Sequence, residues 1–168
     1  MSKPSHTGLA GLRLAETYVG TMEEPPGSNG GPDIDRWNTA AGVPKGSYWC
    51  MAFVRAMLAS AGAEVLRTAS VGFFLAWARA DGLVVKRPRK GDIVCFFFDK
   101  EAPGWPSHVG FVKRVIGLRW DRNGRFVGYL RTIEGNTSSD DRGSQSNGGG
   151  VFERKRHIAK AEFVRTRP

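Results

Sequence analysis

Four side chains in this sequence have the types and order that nucleophilic catalysis requires: Cys50, His108, Glu134 and Asn136. Cys50 stands at the predicted first turn of a helix, where unpaired backbone N–H groups and the helix dipole favour negative charge. That position stabilises the thiolate, which is the nucleophilic form of cysteine. A cysteine followed by a histidine and then by an acid or an amide is the set that a thiol hydrolase uses. For Cys50 alone, a buried structural cysteine is the alternative.

His108 is the candidate base. It follows Pro106-Ser107 and opens an apolar segment, Val109 to Val112, that predicts a half-buried strand. Histidine suits proton transfer because its ordinary pKa lies near neutral pH. His108 would take the thiol proton, or hold it as imidazolium beside the thiolate, and later protonate the departing amine. A structural histidine at the start of a strand is the alternative.

Glu134 and Asn136 are candidates for the third member, at the end of the predicted strand 125–133. Either could accept a hydrogen bond from the far ring nitrogen of His108, and in a regular strand the two would share a face. Glu134 is favoured as the orienting group because its charge also stabilises imidazolium. Asn136 could bond to the ring, contact substrate or serve only as a turn residue. The backbone N–H of Cys50 is the expected first oxyanion donor, and the Tyr48 hydroxyl is a candidate for the second.

The elements that must position these residues follow from periodicity. Helical spacing predicts four helices, the second capped by Asp33 and the third ending at Gly62; they cover about 9–19, 33–41, 50–61 and 71–80. Extended patterns follow, with an Asn123-Gly124 hairpin turn and a loop at 138–150; the strands are expected at 92–98, 108–116, 118–121, 125–133, 151–158 and 161–164. Helices first and strands afterwards predict an α+β fold with N-terminal helices packed on an antiparallel sheet.

Composition limits the classes of protein. With 168 residues, 40% hydrophobic and 24% charged, the chain is expected to form one globular domain, 1–168. No stretch approaches the ~18–20 apolar residues of a membrane span, and residues 1–7 lack the apolar core of a secretory signal. We therefore expect synthesis in the cytoplasm and, for an external target, release by another route.

The remaining candidate ligands do not predict a cofactor or metal site. Cys95 lies in an apolar segment, 93–98, and is expected to be a core residue rather than a disulfide partner of Cys50. No cysteine or histidine cluster has zinc spacing. Asp33 and Asp35 lack the further oxygen ligands of a calcium loop, so helix capping is the better interpretation of Asp33.

The net charge of +9 favours a polyanionic partner, such as nucleic acid, anionic lipid or bacterial wall polymers. A noncatalytic basic module binding nucleic acid or wall polymer is therefore the alternative to an enzyme. Its basic residues are spread over several elements rather than one recognition helix: Lys86, Arg87, Arg89, Lys90, Arg119, Arg122, Arg125, Arg154 and Arg156. The Arg154–His157 run is expected to be a solvated edge.

Four motifs in order resemble the CHAP family of cysteine, histidine-dependent amidohydrolases/peptidases: Tyr48–Val54, Arg89–Phe97, Ser107–Val112 and Thr132–Thr137. The resemblance implies a papain-like, NlpC-like fold, with a nucleophile at Cys50, a base at His108, and Glu134 and Asn136 completing the site. It also implies a peptidoglycan hydrolase of the phage endolysin type, acting as a monomer on the cell wall after release from the host cytoplasm, without a membrane or specific nucleic-acid partner. Trp49 stands where many members have glutamine. The acidic loop of calcium-binding members and a separate wall-binding domain are not evident.

Overall fold

The computed structural model describes residues 4–124, 126–144 and 147–167. Within these ranges the helices precede the strands, which confirms the predicted α+β, papain-like fold. The helices are α1 (His6–Thr17), α2 (Pro32–Ala41), α3 (Cys50–Ser60) and α4 (Val71–Ala80). The strands are β1 (Val84–Val85), β2 (Ile93–Phe96), β3 (His108–Trp120), β4 (Phe126–Thr137), β5 (Gly150–His157) and β6 (Ala161–Val164). Arg125, at the predicted start of the fourth long strand, lies outside the described residues.

The helix starts differ from two predictions. Helix α1 begins at His6, three residues early, because the Ser5 hydroxyl caps it by accepting the Gly8 N–H at 3.2 Å. In α2 the cap is Gly31 and Pro32 occupies the first turn, so Asp33 lies inside the helix instead of capping it. Proline suits that position because its missing N–H would have had no helical partner.

The strands form one antiparallel sheet in the order β1-β6-β2-β3-β4-β5. The two strands predicted at 108–116 and 118–121 are a single strand, β3, whose register shifts between Ile116 and Arg119. Gly117 has a φ of 62° there, which explains the break in the apolar pattern. Strand β4 continues past its predicted end at Ile133 to Thr137, so Glu134 lies within the sheet.

Helix α3 is the centre of the fold. It packs against α1 and α2 on one side and against β3 and β4 on the other. Seven of its residues are consequently buried, rather than the one inward face expected of an amphipathic helix: Cys50, Met51, Ala52, Phe53, Val54, Met57 and Leu58. Because both sides are covered, packing fixes the position of Cys50 against the sheet.

Candidate active site

Cys50 is the first residue of α3, as predicted, and its side chain is 4% exposed. The preceding residue, Trp49, is fully buried and donates its indole N–H to Oε1 of Glu23 at 3.0 Å. That bond connects the loop before α2 to the residue that precedes α3. It also commits the Trp49 indole to Glu23, so it is not directed at a substrate oxygen.

His108 is the first residue of β3 and is fully buried. Its Nε2 lies 2.9 Å from Oε2 of Glu134. Its Nδ1 makes no protein hydrogen bond of ordinary geometry. Since Nε2 contacts Glu134, Nδ1 is the ring nitrogen available to the Cys50 thiol. The proximity of Cys50 favours the protonated form of the ring. The Phe98 ring stacks on the imidazole at 5.7 Å between centroids and 22° between planes.

Glu134 reaches His108 from the neighbouring strand, because β3 and β4 pair side by side. Gly110 makes this approach possible: a Cβ there would lie 2.6 Å from Cγ of Glu134. The Thr132 hydroxyl donates to the other carboxylate oxygen, Oε1, at 2.5 Å. The glycine of the Ser107–Val112 motif therefore leaves room for the Glu134 side chain beside His108.

Arg156 is a fourth member of this cluster and was not predicted. Its Nε lies 2.9 Å from Oε1 and 3.2 Å from Oε2 of Glu134, and its Nη2 also donates to Oε2. The same Nη2 lies 3.2 Å from the Thr137 hydroxyl, and the guanidinium carbon lies 5.2 Å from the centre of the Phe98 ring. The carboxylate of Glu134 is thus held between a histidine and an arginine.

The expectation that Arg154–His157 forms a solvated edge is wrong for two of the four residues. Arg154 and Arg156 are 4% and 8% exposed, while Lys155 and His157 face solvent. The two-residue spacing of Arg154, Arg156 and the apolar Ile158 indicates that all three face the same, buried side of the sheet. These two arginines are consequently not available to a nucleic acid, and Arg125 of the same basic set lies outside the described residues.

The charges of the cluster support one another. Burial disfavours the imidazolium of His108, but the adjacent Cys50 thiol and the hydrogen bond to Glu134 overcome this and raise the pKa of His108 to about 9. Burial likewise opposes ionisation of Glu134, yet hydrogen bonds from Arg156 and His108 lower its pKa to about 2. At neutral pH the core of the site is therefore an imidazolium, a carboxylate and a guanidinium in contact.

Asn136 has different partners from those proposed for it. Its backbone φ is 55°, at the irregularity that separates Glu134 from Thr137 in the pairing with β5, so it does not share the face of Glu134. With the amide oriented to satisfy both neighbours, Nδ2 donates to the Gly148 carbonyl at 2.7 Å, and Oδ1 accepts the Trp49 N–H at 3.2 Å. Among the described contacts none joins Asn136 to His108. The structure therefore brings Cys50, His108 and Glu134 together, whereas Asn136 contacts the backbone of Trp49, the residue before Cys50.

Cys50 lies at the wall of a cleft of about 440 Å³. Three aromatic side chains also line it: Tyr48, Phe98 and Trp105, which are 63%, 38% and 51% exposed. Trp105 packs so closely on Gly72 that a Cβ there would lie 2.0 Å from its ring. The second cysteine, Cys95, is fully buried in β2, as predicted, and burial raises the pKa of its thiol. In the described part of the chain, no three His, Cys, Asp or Glu residues are grouped to hold a metal ion.

Helices packed on an antiparallel sheet, with a cysteine at a helix start facing a histidine at a strand start, define a papain-like protein with a thiol–imidazole pair. The chain belongs to the CHAP domain family, whose profile matches residues 42–136 and so spans Cys50, His108, Glu134 and Asn136. CHAP domains are generally cysteine- and histidine-dependent amidohydrolases or peptidases. No curated protein and no solved structure gives a significant match to the chain. Among the described helices, none has both the length and the apolar character needed to cross a membrane.

Proposed function

We propose that this protein is a peptidoglycan hydrolase of the phage endolysin type, which cleaves an amide or peptide bond through a thioester on Cys50. The observation that carries the proposal is the contact between Nε2 of His108 and Oε2 of Glu134 at 2.9 Å. It leaves Nδ1 toward the thiol, so the three side chains stand in the order nucleophile, base and orienting acid. Cys50 also opens onto a cleft, as a nucleophile must.

In the first half-reaction, the Cys50 sulfur attacks the carbonyl carbon of the scissile amide and its proton resides on Nδ1 of His108. The carbonyl π electrons move onto oxygen, and the backbone N–H of Cys50 at the helix start is placed to stabilise that charge. When the oxyanion collapses, the C–N bond breaks and His108 gives its proton to the leaving nitrogen. The products are a free amine and an acyl group bound to Cys50.

In the second half-reaction, water attacks the thioester carbonyl while His108 accepts one of its protons. The C–S bond then breaks, the acyl group leaves as a carboxylic acid and Cys50 returns to its starting form. Glu134 keeps one tautomer of the ring and stabilises imidazolium in both steps. General-base assistance of this kind contributes about 10²–10⁴-fold.

Two residues support the reaction without touching substrate. Arg156 holds the Glu134 carboxylate ionised and oriented. Asn136 fixes the backbone of Trp49, and so acts as a positioning residue for Cys50 rather than as a catalytic one. Tyr48, at the cleft wall beside Cys50, remains the candidate for the second oxyanion donor.

The proposed substrate is the peptidoglycan of a bacterial wall, which a monomeric enzyme would reach after release from the host cytoplasm. The net charge of +9 supports this because wall polymers are anionic, and electrostatic attraction would hold the enzyme on them. Raising the salt concentration should then weaken wall binding, because exposed charges are screened.

The test is hydrolysis of purified peptidoglycan, followed by mass spectrometry of the released fragments. The wild type should release fragments with new amine and carboxyl ends, and Cys50→Ala or His108→Ala should release none. Cys95→Ala is the matched control, because that thiol lies in the core away from the cleft, and it should retain activity in the folded fraction. Normal peptidoglycan hydrolysis by the Cys50→Ala variant would overturn the mechanism.

A further inference from the structure

The cleft at Cys50 adjoins a second hollow, and the two together are called the groove below. The second hollow, of about 450 Å³, lies against the cleft and shares Tyr48 and Ala69 as walls. Phe73, which is 62% exposed, lines this second hollow. Its ring packs edge-to-face on that of Trp105, which lines the first hollow, with 6.1 Å between ring centroids. An extended ligand can therefore pass from one hollow to the other across Tyr48 while one of its bonds lies at Cys50.

The two hollows carry opposite charges. Among the described residues that line the cleft at Cys50, Asp99 is the one acidic side chain. Among those that line the second hollow, Arg67 is the one charged side chain. Apart from Cys50, the remaining walls are aromatic, aliphatic or hydroxyl-bearing. A ligand lying along the groove thus meets a carboxylate in one hollow and a guanidinium in the other.

Arg67 is anchored in a way that leaves its outer nitrogens available. Its Nε donates to the Ala40 carbonyl at 3.2 Å, and the guanidinium lies against Gly42, where a Cβ would be 3.6 Å from Nη2. In the described part of the chain Arg67 forms no ion pair, although many other exposed arginines do. A guanidinium fixed at Nε presents its terminal N–H groups as a fork that suits a carboxylate.

Asp99 is also held in place. Its Oδ1 accepts the N–H groups of Glu101 at 2.8 Å and Ala102 at 3.4 Å, which fixes the carboxylate at the start of the loop that carries Trp105. Both of these donors use the same oxygen. The other oxygen, Oδ2, is the one that can receive an ammonium group from a ligand in the cleft.

We propose that the groove binds a short extended peptide with charges of both signs, whose carboxylate pairs with Arg67 and whose ammonium group pairs with Asp99. This inference rests on the proposed function and narrows its substrate class to a wall peptide with both a free carboxylate and a free amine. The aromatic walls between the two charges bind the intervening apolar parts. Amidation of the carboxylate or acylation of the amine removes one of the two contacts.

The experiment uses two pairs of soluble muropeptides. One pair differs only in whether a peptide carboxylate is free or amidated, and the other only in whether the amino group is free or acetylated. The wild type should prefer the charged member of each pair by about tenfold in kcat/KM, as expected for one charge-assisted contact. Arg67→Met should lose the preference for the free carboxylate mainly through KM, and Asp99→Asn should lose the preference for the free amine. Arg67→Lys should keep part of it.

Arg122→Met is the matched control, because Arg122 is exposed in the β3–β4 turn and lines neither hollow. It should behave as the wild type with all four substrates. Binding of the same muropeptides to Cys50→Ala, measured by calorimetry, gives a readout without turnover. If the wild type hydrolyses and binds both members of each pair equally, the groove assignment is overturned while the hydrolase remains. If it neither binds nor hydrolyses any muropeptide, the proposed function falls as well.

Discussion

Arg156 and Glu134 form a buried, bidentate ion pair, in which Nε of the arginine donates to Oε1 at 2.9 Å and Nη2 donates to Oε2. Burial alone would favour protonation of this carboxyl group, and the pair prevents it. His108 therefore always has a negative partner in the folded protein near neutral pH. The ion pair connects β5, at the edge of the sheet, to the residue that opens β3.

Removing the arginine should make the site sensitive to acid. In Arg156→Met the pKa of Glu134 should rise, because burial then acts without its main opposing contact. Protonated Glu134 no longer stabilises imidazolium, so the acid limb of the pH–rate profile should move to higher pH. Truncating one partner of a buried pair also costs about 3–5 kcal/mol of stability.

The measurement is kcat/KM on soluble muropeptide across pH, with thermal unfolding in parallel. Arg156→Lys, which retains one charge, should shift the acid limb less than Arg156→Met. Lys155→Met is the control, because the Lys155 side chain lies next to Arg156 on the same strand but faces solvent. An unmoved acid limb in a folded Arg156→Met protein would contradict the role given to Arg156.

The stability of the protein should depend on pH in two separate windows. The pKa of Glu134 falls from 4.5 to about 2 on folding, so its contribution is present above 4.5 and is lost as pH falls toward 2. The pKa of His108 rises from 6.5 to about 9, so its contribution is complete below 6.5 and is lost as pH rises toward 9. Urea unfolding at a series of pH values measures both windows.

Two variants assign the acid window. Glu134→Gln should flatten the dependence below pH 4.5, whereas Glu153→Gln, an exposed change on β5, should leave most of it in place. Equal acid sensitivity of both variants would show that other carboxyl groups account for the effect.

Asn136 should matter through the backbone of Trp49. Asn136→Gly keeps a residue that tolerates a φ of 55° but removes the amide, so the Trp49 N–H loses its acceptor. We expect a loss of about 1–3 kcal/mol in unfolding free energy, the usual cost of leaving a buried polar group without a partner. Asn136→Ala should cost more, because alanine also resists the left-handed conformation.

Urea denaturation of both variants checks this order, and Cys50 alkylation rates report on the nucleophile. If Asn136 instead oriented the His108 ring, the two variants would shift the pH dependence of alkylation as Glu134→Gln does. A change in rate without a change in pH dependence is the result expected from the observed contacts.

Gly110→Ala should disturb the site from the opposite strand. The added Cβ would lie 2.6 Å from Cγ of Glu134 and 2.9 Å from the Ile133 carbonyl, so the strands or the acid must move. We expect at least a tenfold loss of kcat/KM, because orientation by Glu134 is part of about 10²–10⁴-fold base assistance. Gly124→Ala, in the open turn of the same hairpin, has no such contact and is the comparison for strain at a glycine. Full activity in Gly110→Ala would show that the acid has room to move.

Local patterns predict the structural positions of Cys50 and His108 well, and those of the residues around them poorly. Cys50 and His108 begin a helix and a strand, and such boundaries are marked by neighbouring residues. The sequence predicts a surface position for Arg156, because arginine is seldom buried unless paired and its partner lies 22 residues earlier in the chain. The prediction that Asn136 shares a face with Glu134 holds only for a regular strand, and the irregularity between Glu134 and Thr137 depends on pairing with β5, which local alternation does not reveal.

Imidazole, carboxylate and guanidinium all belong to three adjacent strands, β3, β4 and β5, whereas the sulfur belongs to α3. A small shift of the helices over the sheet would leave the contacts among His108, Glu134 and Arg156 intact. It would change only the distance between the Cys50 sulfur and the His108 ring. The activity proposed for the protein therefore depends on how closely α3 packs on the sheet. A small change in packing beneath α3, for example where Phe53 packs against Gly135, would lower the turnover rate well before the protein lost its fold.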